Sequence, residues 1–151
     1  MSEPAALFQG DAFNANCPTR VVLDQIADKW TVLVLGALHA GPVRFNALRR
    51  RLGGISQKML GQTLKQLERN GLVERRAFAT VPVTVEYSVT PLGAALTRPV
   101  NALREWAESN IHQMLAAQQR YDAARSESPW EETHALKSEE FASAPRGNSK
   151  V

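Results

Sequence analysis

A glycine-rich turn followed by a capped amphipathic segment lies in the middle of the chain, and it constrains the fold most strongly. A Gly-Gly-Ile stretch at 53–55 separates a short apolar-periodic segment from Ser56, a residue type that favours helix N-caps. Over 57–70 apolar residues recur with helical spacing, and Gly71 is suited to end that helix. Two helices joined by so short a turn predict a helix-turn-helix whose second, recognition helix starts at Ser56.

The second helix of this pair has two chemically different faces. Its inward stripe is predicted to hold Met59, Leu60, Thr63, Leu64 and Leu67. Its outward face holds polar and basic residues and one glycine, namely Gln57, Lys58, Gly61, Gln62, Lys65 and Arg69. A helix of this kind packs its apolar stripe on a core and leaves the other face to solvent or to a polar partner.

Three helices are predicted before this one. The first starts at Cys17-Pro18, because proline suits the first position of a helix. Its apolar stripe is Val22, Leu23 and Ile26. Asp28 can cap a second, mostly apolar helix that should end at the Gly-Pro pair at 41–42, and 45–52 forms a short third helix.

After Gly71 the pattern changes from helical to strand-like. The runs 72–78 and 83–89 alternate and contain β-branched residues, and 79–82 joins them as a hairpin tip. Thr90-Pro91 starts a long helix that should reach about Gln118, with Pro99 kinking it or ending its first part. The expected fold class is α+β, mostly α: a winged helix-turn-helix with a two-stranded wing and a terminal dimerisation helix. We expect an N-terminal arm (1–16), a winged-helix DNA-binding and dimerisation domain (17–121) and a disordered tail (122–151).

Positive charge is concentrated around the predicted helix-turn-helix. Between Pro42 and Arg76 the chain has nine basic and two acidic residues, whereas the whole chain carries a net charge of only +3. A basic segment in an otherwise acidic chain is typical of a surface that binds polyanions, although a solvated helical surface would have the same composition.

Because this basic segment lies on a predicted winged helix, we expect the partner to be double-stranded DNA. Gln suits adenine and Lys suits guanine, so Gln57, Lys58 and Gln62 are predicted to contact base edges in the major groove. Residues in and near the wing are predicted to contact phosphates. The full set of predicted DNA-binding residues is Arg44, Ser56, Gln57, Lys58, Gln62, Lys65, Arg69, Arg75, Arg76, Thr80 and Thr84.

The long terminal helix carries an apolar seam that one small domain can hardly cover alone. Its members at the predicted dimer interface are Leu96, Val100, Leu103 and Trp106. We therefore expect a homodimer that presents two recognition helices to two half-sites about 34–36 Å apart.

Cys17 is the only cysteine, which excludes an intramolecular disulfide. As the N-cap of the first helix, and with Arg20 nearby, its thiol is expected to have a lowered pKa and to be reactive. A redox- or electrophile-sensing role therefore stands beside the simpler interpretation of a small buried hydrophobic residue.

Other function classes find little support in the sequence. No apolar run approaches the roughly 20 residues that span a bilayer, and the N-terminus lacks the pattern of a secretory signal, so we expect a cytoplasmic protein. The three histidines lack ligand spacing, so no metal is expected. No Ser/His/Asp set, phosphate-binding loop or metal-spaced pair of carboxylates stands out, so no cofactor and no enzymatic activity are expected. Two rivals remain open: a winged-helix module that binds protein, and a thiol enzyme using Cys17.

From Cys17 to about Trp106 the chain resembles HxlR-type regulators, which are relatives of the MarR group. The matching motifs are Cys17-Pro18, Asp28-Lys29-Trp30, Arg44-Phe45-Asn46-x-Leu48, Gly54-Ile55-Ser56-Gln57-Lys58-Met59-Leu60, Leu67-x-x-x-Gly71-Leu72-Val73 and Val85-Glu86-Tyr87-Ser88-Val89-Thr90. The resemblance implies dimers paired through their terminal helices, near-palindromic operators, and in several members a sensing cysteine before the first helix. Thr63 and Thr84 depart from the family pattern, which often has arginine at both positions.

Overall fold

The computed structural model describes residues 8–126 of the chain. Within this range the elements are α1 (Pro18–Ile26), α2 (Lys29–Leu38), β1 (Val43–Arg44), α3 (Phe45–Arg51), α4 (Gln57–Arg69), β2 (Val73–Phe78), β3 (Thr84–Val89) and α5 (Pro91–Ser126). The predicted class is confirmed: the fold is α+β, mostly α, and is a winged helix-turn-helix.

The core is built around α2, which is apolar on nearly all sides. The carboxylate of Asp28 caps α2, accepting hydrogen bonds from the backbone amides of Trp30 and Thr31 at 3.1 and 3.3 Å, as the sequence predicted. Leu35 and Leu38 are fully buried. Most of the remaining core residues come from α3, α4, the strands and the turns beside them, and they are Leu48, Leu52, Ile55, Leu60, Leu64, Leu67, Leu72, Val73 and Tyr87. This packing fixes α4 relative to the short helix before it.

The recognition helix α4 begins where the sequence predicted. Ser56 Oγ accepts a hydrogen bond from the Met59 amide at 3.0 Å, and Gly71, after the helix end, has a φ of 73°. The inward placement of Met59 was wrong, because its side chain is 42% exposed. Leu60 begins the buried i, i+3, i+4, i+7 stripe, and Met59 lies about 100° around the helix from it, at the edge of that stripe.

The sheet contains a strand that the sequence did not predict. Its order is β1-β3-β2, all antiparallel, with β2 and β3 paired from Val73↔Val89 to Phe78↔Thr84. The two residues of β1 pair with Tyr87 and Glu86 on β3. A strand of two residues is too short to show alternation, and it forms only because β3 offers its free edge. The hairpin of β2 and β3 is the wing.

The terminal helix α5 is longer than predicted. It continues through Pro99, which does not end it, and past the expected end at Gln118 to Ser126. Arg125 lies one turn after Tyr121, stacks 5.5 Å from its ring centroid and donates a hydrogen bond to its hydroxyl, which favours helix in the last turn. Residues 122–126 of the predicted tail are therefore helical, and 127–151 lie outside the described residues.

The described chain divides into two compact units. The first comprises residues up to Glu105 and contains the winged helix with the first turns of α5. The second starts at Trp106 and, where described, consists of the later turns of α5, whose side chains are mostly exposed.

Candidate nucleic-acid interface and thiol site

The start of α4 presents a row of polar side chains to solvent. Gln57, Lys58, Gln62 and Lys65 are all exposed, and the cap by Ser56 satisfies one of the free amides of the first turn. The helix N-terminus carries a partial positive charge that favours anions nearby. This end of α4 thus offers hydrogen-bonding groups and positive potential on one accessible surface.

Gly61 lies on the same helix without a packing reason to be glycine. A Cβ built at Gly61 meets no atom within 4 Å, and its φ is not positive. Glycine in a helix interior costs about 1 kcal/mol relative to alanine. No contact within the described part of the chain therefore requires glycine at this position.

Arg69 lies at the opposite end of α4 from the predicted base contacts Gln57 and Lys58. Arg69 comes twelve positions after Gln57, which is about 18 Å of axial rise along the helix. Arg69 instead borders a cavity of about 370 Å³ that is also lined by Cys17 and Asn70. The structure therefore associates Arg69 with the thiol site.

The basic residues of the wing divide between the two faces of the sheet. Arg76 and Arg44 both pair with Glu86 in the strand register, so these three residues share a face. Arg75 pairs with Tyr87 on the opposite face and lines a small cavity with Gly61 and Lys65 of α4. Arg75 is thus a basic residue of the wing that borders the recognition helix.

The tip of the wing carries no charged residue. Over 79–84 the side chains are apolar or hydroxyl-bearing, and Val81 is fully exposed. Thr80 donates a hydrogen bond to the Pro82 carbonyl at 2.8 Å, and its oxygen lies 3.1 Å from that of Thr84. Both predicted hydroxyl contacts are therefore partly engaged within the hairpin.

Cys17 is the N-cap of α1, as predicted, and the residue is 8% exposed. The Thr19 hydroxyl lies 3.2 Å from Sγ, and the Asp11 amide donates to Sγ at 3.4 Å. The Thr19 hydroxyl first, and then the Asp11 amide, hold the pKa of the Cys17 thiol below its ordinary value. The prediction that Arg20 lowers this pKa was wrong: Arg20 is not among the groups that shift the pKa, and its Nε donates a hydrogen bond to the Ala12 carbonyl.

Sequence reasoning missed two features of this thiol site. Thr19 follows Cys17 by two residues, and a hydroxyl at that position of a first helical turn could have suggested a thiolate partner. Farther along α1, the Gln25 side-chain oxygen accepts a hydrogen bond from the Asn70 amide at 2.9 Å. Asn70 is the C-cap of α4, so a polar contact joins the helix that Cys17 caps to the end of the recognition helix.

The four residues of the predicted dimer seam have different environments. Val100 is buried in the core of its own chain, and Leu96 packs partly against that core, so neither has much surface left for a partner. Leu103 and Trp106 are 58% and 55% exposed. Only these last two of the four present large apolar surfaces.

Residues 8–126 contain neither a cluster of metal-ligand side chains nor a helix that could span a membrane. No three His, Cys, Asp or Glu side chains within it are grouped as metal ligands would be. None of its helices combines the length and apolar character needed to cross a bilayer.

A recognition helix followed by a β-hairpin wing defines the chain as a winged helix-turn-helix protein. The HxlR-like helix-turn-helix family model matches residues 25–115, and the chain belongs to this family.

Relatives in sequence and in structure agree with this assignment. The chain is 46% identical over 110 residues to the uncharacterized HTH-type transcriptional regulator YtfH of Escherichia coli (strain K12), covering 73% of this chain and 87% of the relative. The structure of ytfH from Salmonella typhimurium matches with 45% identity and a TM-score of 0.71, covering 74% of this chain and 99% of that one. The redox regulator HypR in its reduced form matches with 37% identity and a TM-score of 0.60, and the match covers 66% of this chain and 98% of HypR. The chain is therefore a helix-turn-helix transcriptional regulator.

Proposed function

We propose that this regulator binds a specific operator in double-stranded DNA through the first turns of α4. The observation that carries the proposal is the exposed group of Gln57, Lys58 and Gln62 directly after a capped helix start. Amide side chains match adenine and the lysine ammonium matches guanine in the major groove, where a helix enters N-terminus first. This set of side chains gives the chain sequence selectivity.

Phosphate contacts from around α4 would fix its register on the DNA. Arg75, Arg76 and Arg44 supply positive charge from the wing and from β1, and Lys65 supplies it from α4 itself. The Thr80 and Thr84 hydroxyls would add weaker contacts at the tip, and Arg69 a contact at the far end of α4. Such contacts position a protein without selecting sequence. We place its action in the cytoplasm, together with the DNA that it would bind.

Selection from a random DNA library tests this proposal. The purified full-length chain is mixed with random duplexes, and the bound fraction is amplified and sequenced over several rounds. We expect enrichment of a motif with two related half-sites about one helical turn apart. A library that stays random while a protein partner is captured through the exposed face of α4 would instead support a protein-binding winged helix.

We also propose that the regulator is a homodimer. Leu103 and Trp106 on α5 are exposed. Helix α1 has no fully buried residue, and Val21, Val22 and Leu23 are 57%, 44% and 46% exposed. Apolar surfaces of this size on two terminal helices are typical of an interface between subunits.

Sedimentation of the full-length chain at micromolar concentration tests the dimer. We expect a dimer for the wild type and dissociation in Trp106→Glu, because the variant would place a carboxylate in an apolar interface. Val81→Glu introduces the same charge at the exposed wing tip and should leave the dimer intact. A wild-type chain that sediments as a stable monomer contradicts the proposal.

Cys17 is proposed as the site at which an oxidant or small electrophile regulates operator binding. Three observations support this role: a lowered thiol pKa, the position of Cys17 as the cap of α1, and the Gln25–Asn70 hydrogen bond between α1 and the end of α4. The thiol is largely covered, so its modification has to displace part of the surrounding 8–16 segment. A displaced α1 would then shift the end of the recognition helix through the Gln25–Asn70 hydrogen bond.

Treatment with diamide and with a quinone tests this switch. Diamide takes two electrons and two protons from two thiols, either the Cys17 thiols of two subunits or Cys17 and an added small thiol, and leaves a disulfide. A quinone adds to one thiolate. We expect both to change the operator affinity of the wild type and not that of Cys17→Ser, and DNA should protect Cys17 reciprocally. An unchanged response in Cys17→Ser would contradict the switch, and catalytic turnover of the quinone would favour a thiol enzyme.

A further inference from the structure

The far end of the wing is an exposed apolar tip, which we define as residues 79–83. All five residues are exposed; Val81 is fully exposed and Val83 is 68% exposed. The nine consecutive residues 77–85 carry no charge. Hairpin turns usually contain Gly, Asn, Asp or Ser, and none of these residue types occurs in the tip. Water therefore stabilises this part of the wing poorly, and an apolar patch of this kind is typical of a surface that contacts another molecule.

The tip also has few groups that could form hydrogen bonds with a partner. The Thr80 hydroxyl donates to the Pro82 carbonyl at 2.8 Å, and its oxygen lies 3.1 Å from the Thr84 hydroxyl oxygen. The other side chains of the tip are those of alanine, valine and proline. The donor and acceptor code of the DNA major groove therefore has no counterpart here. Contacts of the tip with another molecule are apolar and depend on shape.

The dimensions of the wing favour the minor groove of DNA as the partner of the tip. The charged residues nearest the tip are Arg76 and Glu86, which pair with each other across the two strands. Thr80 follows Arg76 by four positions, which is about 13 Å at strand spacing and exceeds the minor-groove depth of about 7.5 Å. The tip can thus enter the groove while the arginines of the wing stay near the phosphates. Arg75 borders α4, so the wing adjoins the helix proposed to occupy the major groove.

We propose that the apolar tip enters the minor groove beside the operator half-sites and selects base pairs that lack the exocyclic amino group of guanine. Both kinds of base pair present acceptors in the minor groove, and only G·C adds this amino donor. An apolar tip that covers the amino group excludes water from it and leaves it without a hydrogen-bond partner, which is costly. Val81 is then a specificity-determining residue that acts through shape. The inference rests on the proposed DNA-binding function.

Three duplexes that differ in their minor-groove groups test this selection. Starting from the operator selected from the random library, the base pairs adjoining each half-site are made all A·T, all G·C or all inosine·cytosine. Inosine·cytosine keeps the major-groove groups of G·C but lacks the amino group. Measured by fluorescence anisotropy, the full-length chain should bind the A·T and inosine duplexes alike and the G·C duplex about fivefold or more weakly, as expected for an unpaired donor. Equal affinity for all three duplexes, or an inosine duplex that binds as weakly as G·C, would overturn the inference.

A pair of asparagine variants assigns the selection to the tip. In Val81→Asn the side-chain carbonyl can accept a hydrogen bond from the guanine amino group, so the preference for A·T over G·C should fall below about twofold. Because Val81 is fully exposed, this change leaves the core intact. Leu92→Asn makes a similar change at a side chain of α5 that is 61% exposed, and it should keep the full preference. A Val81→Asn variant with the wild-type preference would contradict the role of the tip.

Salt dependence separates selection by the apolar tip from selection by charge. Arginine side chains also favour A·T sequences, because a narrow minor groove has an enhanced negative potential. Since the tip is uncharged, the ratio of the A·T and G·C affinities should stay constant as salt lowers both affinities. Arg76→Ala should leave this ratio unchanged as well. A ratio that falls with salt, or that disappears in Arg76→Ala, would assign the preference to arginine and overturn the inference.

The failure of this inference is distinguishable from the failure of the proposed function. A chain that prefers the operator to a scrambled duplex but does not respond to the amino group overturns selection by the tip and leaves operator recognition standing. A chain that binds no duplex contradicts both. A Val81→Asn variant that binds every duplex as the wild type does, but no longer captures a protein partner, would make the tip a protein contact and contradict its place in the groove.

Discussion

The Thr90 hydroxyl donates a hydrogen bond of 2.6 Å to the carbonyl oxygen of Gly71, 19 residues earlier in the chain. Gly71 directly follows the C-cap of the recognition helix, and Thr90 directly precedes α5. The same hydroxyl accepts a hydrogen bond from the Gly93 amide at 3.1 Å, and the Thr90 amide donates to the Leu72 carbonyl at 3.1 Å. One side chain therefore caps α5 and joins its start to the end of α4.

Removing this hydroxyl should weaken the junction measurably. Thr90→Val keeps the shape of the side chain but loses both hydrogen bonds, and we expect the free energy of unfolding to fall by about 1–2 kcal/mol. Thr90→Ser keeps the hydroxyl and should lose much less. Urea denaturation of the three proteins measures the difference. If Thr90→Val is as stable as Thr90→Ser, the hydroxyl does not stabilise the junction.

Gly61→Ala should raise the stability of the fold and at the same time weaken its binding to DNA. Because a Cβ at Gly61 meets no atom within 4 Å, Gly61→Ala should raise the free energy of unfolding by up to about 1 kcal/mol through helix propensity. If the bare backbone of Gly61 allows close approach of the groove wall, the same variant should bind operator DNA more weakly. Thermal unfolding and DNA titration measure the two effects.

The control for this experiment is another helical glycine in a different environment. A Cβ at Gly93 would collide with the Leu72 carbonyl, a backbone group that cannot move aside cheaply. Gly93→Ala should therefore destabilise the fold, whereas Gly61→Ala stabilises it. A Gly61→Ala variant that gains stability and keeps full operator affinity would show that α4 does not approach DNA closely at this residue.

The Thr19 hydroxyl should control the reactivity of Cys17. It is the main cause of the lowered pKa of the Cys17 thiol, so Thr19→Val should raise that pKa toward its ordinary value. The thiolate fraction at neutral pH would then fall, and the pH midpoint of the alkylation rate would move upward. Iodoacetamide labelling across pH measures the profile, with Thr80→Val in the wing as matched control. A variant whose profile coincides with that of the wild type would assign the lowered pKa to another group.

Local sequence rules predicted the elements that depend on neighbouring residues. Ser56 and Asp28 cap their helices as predicted, because a cap is decided by one side chain and the next turn. The hairpin was also predicted correctly, because apolar and polar residues alternate within a few positions in each of its strands. These elements alone were sufficient to locate the exposed start of α4 and hence most of the candidate DNA-binding surface.

What the sequence did not predict depends on contacts between distant segments. Strand β1 exists only because the edge of β3 is available, and the Thr90–Gly71 and Gln25–Asn70 hydrogen bonds join residues 19 and 45 positions apart. Val100 was assigned to a subunit interface because its helical period fits an interface and a core equally well. Only the packing around Val100 distinguishes these two possibilities.

The central claim is that the first turns of α4 select the DNA sequence while the wing arginines hold the backbone. It is tested most directly by comparing Lys58→Ala with Arg76→Ala, since each removes one exposed positive charge. Fluorescence anisotropy measures the affinity of each for the selected operator and for a scrambled duplex across a range of salt concentrations. Lys58→Ala should reduce the operator preference by about 1–3 kcal/mol. Arg76→Ala should weaken binding to both duplexes alike. It should also reduce the slope of log affinity against log salt concentration by about one unit. If Lys58→Ala weakens binding to both duplexes equally and leaves the operator preference intact, the recognition surface is not at the start of α4.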